Sequence, residues 1–359
     1  MSERMVNQFM EMVKIDSESG NETQFINYLK DEFQSMGAKV QKDSYGNLIA
    51  KFAAKGCDCE EPILLSCHAD TVKPGVGIEP QLLEGVLTSR GDTILGADDK
   101  AGIAEMLEAI RTATIHPPLE IAITRQEEVG LLGVKNFDFS LINAQKGFLL
   151  DNDTLDTIVV GGPSYFTFDV EIKGKAAHAG MEPEKGINAI EAAAKAIAKL
   201  KLGRLDNETT ANVGVIKGGM IRNGVPDNCS YLAECRSLNH EKAKALAEDM
   251  YSTMEKEFKA VGVDYEIDLQ NPFKAVHIDE DSWTVQASKK ALSKIGIDDA
   301  KTVFITGFTD ASVYNNMGIE MAVVGIGAKL EHSTDEHIYV ADMQRAVVMI
   351  HELFKLSAE

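Results

Sequence analysis

Three things are scarce in this chain: long apolar runs, basic side chains relative to acidic ones, and cysteines in any regular spacing. No apolar stretch approaches the ~20 residues that a membrane-spanning helix needs. The 36 Lys and Arg residues face 56 Asp and Glu, a net charge of -20, which argues against a nucleic-acid binder because such proteins replace condensed counterions with basic surface. Five cysteines, an odd number at irregular positions, fit reduced thiols of a cytoplasm better than a disulfide framework. Within them, Cys57 and Cys59 in an acidic loop read as free surface thiols, and Cys67 as packed beneath its neighbour His68. The first twenty residues carry charges throughout and lack the apolar core and cleavage site of a secretory leader. The expectation is a soluble cytoplasmic protein with neither nucleic-acid nor membrane partners.

No linker, repeat or low-complexity segment interrupts the 359 residues, a length that suits two or three domains, so organisation must come from the pattern of elements. Apolar runs at 48–50, 62–67, 119–124 and 147–150 alternate with helices, one carrying Phe25, Leu29, Phe33 and Met36, another Ile103, Met106, Leu107 and Ile110. Such runs separated by amphipathic helices predict a mostly parallel sheet covered on both faces. After Gly161-Gly162-Pro163 the pattern changes to strict alternation, with Phe166, Phe168, Val170 and Ile172 on one side. A helix follows with Ile187, Ile190, Ala194 and Ile197 as its inner stripe, then strands near 211–217 and 229–236. A second helix holds Leu246, Met250, Met254 and Phe258, and strand 263–269 closes the segment. The order β-α-β-β-α-β is that of a ferredoxin-like unit. From about Asn271 the α/β pattern resumes, with strands at 302–306 and 321–326 and a last helix near 341–356. The fold class expected is α/β: a larger, mostly parallel domain in two parts, 1–163 and 273–359, interrupted by an inserted α+β domain over 164–272.

Metal-competent residues follow the carboxyl ends of the predicted strands: His68-x-Asp70, Arg125-Gln126-Glu127-Glu128, Asp151, and His332 after a loop. Open α/β sheets bind ligands along that edge. Residues i and i+2 on extended backbone face the same side, so Asp70 is expected to accept a hydrogen bond from His68 Nδ1 and free Nε2 for a metal. Asp98, in Gly96-Ala97-Asp98-Asp99-Lys100-Ala101-Gly102, reads either as a helix cap or as a carboxylate bridging two cations. Glu127-Glu128 allows one acid to hold a metal while the other handles a proton, the division that metal-assisted hydrolysis requires. Two histidines with three carboxylates suit zinc, cobalt or manganese.

Taken together these motifs resemble the co-catalytic di-zinc exopeptidases and amidohydrolases, the family that holds peptidase T, carboxypeptidase G, succinyl-diaminopimelate desuccinylase and acetylornithine deacetylase. The resemblance spans nearly the whole chain, and the Gly-Ala-Asp-Asp-Lys-Ala-Gly form with aspartate at Asp151 looks most like the peptidase T branch. It implies a zinc-exopeptidase-like catalytic domain with two divalent ions: His68 and Asp151 on the first, Glu128 and His332 on the second, Asp98 on both. Glu127 would be the general base and Asp70 the orienter of His68. The insert would be a lid that also forms a homodimer, with His178 reaching the partner subunit's site to stabilise an oxyanion. Asn223 and Arg236 would grip a substrate carboxylate, and Gly307 and Thr309 would lie in a substrate loop. From the residues themselves, Arg236 is equally a sheet-face ion pair and Thr309 a helix cap. The implied activity is hydrolysis of the N-terminal bond of tripeptides through a metal-bridging water. The alternative is an amidase, deacylase or carboxypeptidase acting on N-acyl or C-terminal amino acids.

Overall fold

The computed structural model describes residues 2–359 and divides into two compact units. The first comprises the chain up to Val160, His277–Phe304 and Phe308–Glu359; the second comprises Gly161–Val276 with Ile305–Gly307.

The centre of the first unit is a run of four parallel strands, in spatial order Leu119–Thr124, Ile63–His68, Lys146–Asn152 and Glu320–Gly325. Every residue of Ile63–His68 and Leu119–Thr124 is buried, which is why these segments read as continuous apolar runs instead of alternating ones. Leu48–Phe52 and Thr157–Gly162 flank the parallel core on either side, both antiparallel to it. An apolar run alone carries no strand direction, so the sequence could not distinguish Leu48–Phe52 from its parallel neighbours. Helix Ala97–Thr112 lies on the sheet, and Ser2–Val13 and Val340–Ser357 pack against it. The opening helix, unmarked in the sequence reading, buries Met5, Phe9 and Met12 at helical spacing. A second, four-stranded sheet pairs Ala328–Lys329 with His337–Tyr339 and the latter with Val86–Arg90. It fixes both ends of the loop that carries His332.

Cys57 and Cys59 are joined in a disulfide, with Cα atoms 5.5 Å apart. This corrects their reading as free thiols: with one intervening residue, the loop brings the Cα atoms within the range that a disulfide tolerates. Cys67, Cys229 and Cys235 are free and buried.

The second unit is an antiparallel sheet in the order Gly203–Arg204, Thr209–Gly218, Asn228–Ser237, Ser164–Lys173, Asp264–Phe273, with helices Ala189–Ile197 and His240–Val261. The chain order of its six main elements is the β-α-β-β-α-β sequence. Phe166, Phe168, Val170 and Ile172 form the dry face with Met250, Met254 and Phe258 from the long helix. The inner stripe of the shorter helix differs from expectation. Ala189, Ala192, Ala193 and Ala196 are buried, Ala194 is exposed, and Ile190 is 39% exposed. The helix begins only after the cap Asn188, whose side chain accepts the Glu191 N–H. That late start leaves Ile187 outside the helix and rotates alanines onto the sheet.

Candidate metal centre and active site

His68 is the last residue of a fully buried parallel strand, and its exposure is 2%. Its Nε2 lies 3.1 Å from Asp98 Oδ1 and 3.5 Å from Asp151 Oδ1. The other oxygen of Asp98, Oδ2, lies 3.1 Å from Nε2 of His332, and Glu128 Oε1 lies 2.9 Å from that same nitrogen. Asp98 therefore presents one oxygen to each histidine. Four-coordinate zinc with bonds of ~2.0–2.2 Å holds its ligand atoms roughly 3.3 Å apart, so this donor set has the composition and spacing for two neighbouring ions. The five residues expected as ligands, His68, Asp98, Glu128, Asp151 and His332, are brought together. A further donor set, His68 with Asp99 and Asp151, includes a residue that the sequence reading passed over. Asp99 also accepts the His68 backbone N–H through Oδ2 at 3.1 Å.

The turns that carry these groups are locally constrained. Gly96 caps helix Ala97–Thr112 with φ 73°, and Asp98 and Asp99 depart from helical φ/ψ inside its first turn. Gly102 is required by packing: a Cβ there would sit 2.3 Å from Asp99 Oδ1 and 2.7 Å from the Leu150 carbonyl. Among the described residues, five that are not glycine have positive φ, and four of them, Gln126, Leu131, Leu330 and His332, lie in the two loops bearing Glu127-Glu128 and His332. Backbone held in such a sparsely populated region concentrates at functional sites.

Asp70 acts differently from expectation. His68 Nδ1 lies 2.9 Å from the backbone carbonyl of Asp70, whereas the nearer carboxylate oxygen is 3.6 Å away. The carboxylate instead accepts the backbone N–H of Glu127 at 2.9 Å, that of Glu128 at 3.2 Å, and the Ser19 hydroxyl at 2.7 Å. The two side chains still face each other across 3.6 Å, but the hydrogen bond of the ring goes to the backbone carbonyl, and the carboxylate oxygens are taken up by the Glu127 turn and Ser19.

Residues 162–261 match the peptidase dimerisation domain of the M20 group, and residues 47–199 match peptidase family M28. The uncharacterized protein YqjE of Bacillus subtilis (strain 168) is 36% identical over 369 residues, an alignment covering 99% of each chain. The solved structure of aminopeptidase PepT from Bacillus cereus ATCC 10987 shares 37% identity with a TM-score of 0.88, covering 100% of this chain and 99% of its own. A tripeptidase structure from Staphylococcus aureus subsp. aureus Mu50 shares 32% identity with a TM-score of 0.90, at the same coverage. The chain is a peptidase-T-like member of the M20 peptidase family. It is a hydrolase, and the mixed α/β architecture with a separate antiparallel unit is that of the family.

The electrostatics of the peptidase suit cations. Burial raises the Glu127 carboxyl well above its ordinary value, and Asp151, Asp310 and Glu128 add to this while His68 opposes it. Burial likewise lifts Asp151 to about 6, with Asp98 and Glu128 contributing against the His68 hydrogen bond. Burial also pushes Asp98 up, yet hydrogen bonds from His332 and His68 outweigh it and hold that carboxyl below its ordinary range. His332, hydrogen-bonded to Asp98 and Glu128, is raised to about 10. Glu127 and Asp151, buried beside other acids, give up their protons more readily once positive charge is supplied, and perturbation of this kind marks functional sites.

The remaining expected residues fall in other surroundings. His178 pairs with Gly224 in a two-stranded ribbon, and Ala179 donates to the Asn223 carbonyl at 3.0 Å, so His178 and Asn223 are neighbours. His178 Nδ1 accepts the N–H groups of Gly180 and Met181 at 3.2 and 3.1 Å, which places its proton on Nε2, on an exposed ring. Arg236 turns its fork onto Glu234, with Nε and Nη2 each 2.9 Å from a carboxylate oxygen. This is the sheet-face ion pair that the sequence left open. Gly307 lies in open surroundings. The cap of helix Ala311–Asn316 is Asp310, not Thr309. Asp310 is buried, accepts the Thr124 hydroxyl, and is lifted by burial to about 7. Sequence reasoning missed Asp310 as a member of the acidic cluster. Its only signal was adjacency to Thr309.

Proposed function

We propose that the chain is a metal-dependent aminopeptidase that releases the N-terminal residue of tripeptides. The observation that carries this reading is Asp98, with one carboxylate oxygen 3.1 Å from each of two histidine nitrogens on separate segments. His68 and Asp151 would hold one divalent ion, Glu128 and His332 a second, with Asp98 shared. Zinc fits this donor set, with cobalt and manganese as alternatives. When bound, such ions supply Lewis-acid polarisation and a nucleophile at neutral pH. Glu127 takes a proton during attack and returns it to the leaving amine, a task suited to a carboxyl whose proton affinity burial raises. Asp70 holds the turn that carries Glu127.

His178, with its Nε2 proton outward, suits an oxyanion donor, a role worth ~2.7–4 kcal/mol in comparable enzymes. We assign substrate contacts to Asn223, Arg236, Gly307 and Thr309, with Arg236 exchanging Glu234 for a substrate carboxylate. The match of residues 162–261 to a dimerisation domain supports a homodimer formed through the second unit. No helix among the described residues is long and apolar enough to cross a membrane, in keeping with a cytoplasmic peptidase. The test is hydrolysis of di-, tri- and tetrapeptides with free or blocked termini after loading with zinc, cobalt or manganese. Release of the first residue from free tripeptides is expected. Strong preference for N-blocked peptides or N-acyl amino acids would replace this reading with the amidase, deacylase or carboxypeptidase alternative.

A further inference from the structure

We infer that Glu336 is the positioning residue for the shared aspartate: its carboxylate sets the turn that carries Asp98 and ties it to the loop that carries His332. Helix Ala97–Thr112 has no side-chain cap of its own, because its cap residue is Gly96. A helix start leaves backbone N–H groups without intrahelical partners. Here three N–H groups around that start go to one distant side chain. Glu336 Oε2 accepts from Leu95 at 2.8 Å and from Gly96 at 2.7 Å, and Oε1 accepts from Asp98 at 3.0 Å. The residue is 2% exposed.

Glu336 also belongs to the loop between Ala328–Lys329 and His337–Tyr339, four residues after His332, where its own N–H donates to the Ser333 carbonyl at 3.2 Å. One buried group thus fixes the relative placement of Asp98 and His332 through hydrogen bonds from backbone alone. The first ion position, at His68 and Asp151, draws its protein ligands from other strand ends and depends on Glu336 only through Asp98.

This inference rests on the proposed metal centre, and the experiment separates the two. Wild type, Glu336→Gln and Glu336→Asp are stripped with chelator and titrated with zinc by calorimetry, and the folded state of each apo-protein is checked by its melting transition. Glutamine keeps one acceptor oxygen but turns an amide N–H₂ toward the backbone donors; aspartate keeps the charge but is one methylene short. The expected result is two ions on wild type. In Glu336→Gln one of the two should bind about 10–100-fold more weakly, the range for outer supports of metal ligands, while the other step changes much less. Excess zinc should then restore kcat with KM unchanged. Glu336→Asp should lie between, and decides the matter if the glutamine variant does not fold. Fewer than two ions on wild type would sink the metal centre itself. Two ions on wild type with unchanged affinities in the folded variants, or equal weakening of both steps, would overturn the role given to Glu336.

Discussion

Replacing Asp70 by asparagine separates two accounts of that residue. If its carboxylate oriented His68, the variant would lose the His68 ion position first. The structure gives the His68 Nδ1 contact to the Asp70 backbone carbonyl at 2.9 Å, which asparagine retains. What asparagine cannot retain is two carboxylate oxygens facing the N–H groups of Glu127 and Glu128 while Oδ2 also takes the Ser19 hydroxyl. At least one of these bonds must break, because an amide N–H₂ then opposes a backbone N–H. Hydrogen bonds to charged acceptors are worth ~1.5–3 kcal/mol, so the apo-protein should lose about that much stability. A displacement of ~1 Å in a proton-handling group costs ~10²-fold in rate. The expected outcome of tripeptide kinetics at saturating metal, paired with metal analysis, is therefore two bound ions and a kcat lowered about 100-fold. A variant that loses one ion, and keeps wild-type kcat once that ion is forced back, would refute the reasoning and return Asp70 to His68.

Glu127→Ala should keep both ions and lose ~10²–10⁴-fold in kcat; normal tripeptide turnover, measured beside metal content, would remove Glu127 from the proton path. Gly102→Ala drives a Cβ to 2.3 Å from Asp99 Oδ1 and 2.7 Å from the Leu150 carbonyl. Overpacking of that kind costs ~1–3 kcal/mol, read as a lower denaturation midpoint together with weaker metal retention. Away from the site, burial raises the Glu120 carboxyl, but Lys51 and the N–H groups of Ala144 and Asn143 prevail and lower it overall. A folded value below the unfolded one gives stability that is present above the unfolded value, near 4.5, and is lost as pH falls through the folded value. Urea denaturation across pH should therefore show Glu120→Gln less stable than wild type at pH 6, with the gap closing in stronger acid.

The ligands were legible because four of the five sit where chemistry and topology coincide: at strand ends, or in a glycine-bounded turn opening a helix. A buried parallel strand announces itself as a short apolar run, and the first polar residue beyond it lies at the sheet's carboxyl edge. The same local logic failed just past those ends. The period of two placed Asp70 beside His68, but the groups its carboxylate accepts from lie 51 to 58 positions away, where no local period reaches. Glu336 and Asp310 act through contacts reaching 186 to 241 positions along the chain, which no local pattern encodes. In the second unit, the alternating strand and the long helix were legible from their periods. The alanine face of Ala189–Ile197 was not, because isoleucines at helical spacing outweighed alanines on a hydrophobicity count while the cap at Asn188 set the true rotation. Arg236 shows the limit of reading a charge: its fork can take a substrate carboxylate or Glu234, and only geometry shows which holds it here.

Anomalous diffraction at the zinc absorption edge, from crystals of the zinc-loaded protein, decides whether two ions share Asp98. Two peaks are expected to flank the Asp98 carboxylate, one bonded to His68 Nε2 and Asp151, the other to His332 Nε2 and Glu128. A lone peak that leaves one histidine unligated, or zinc bound away from Asp98, would contradict a shared Asp98.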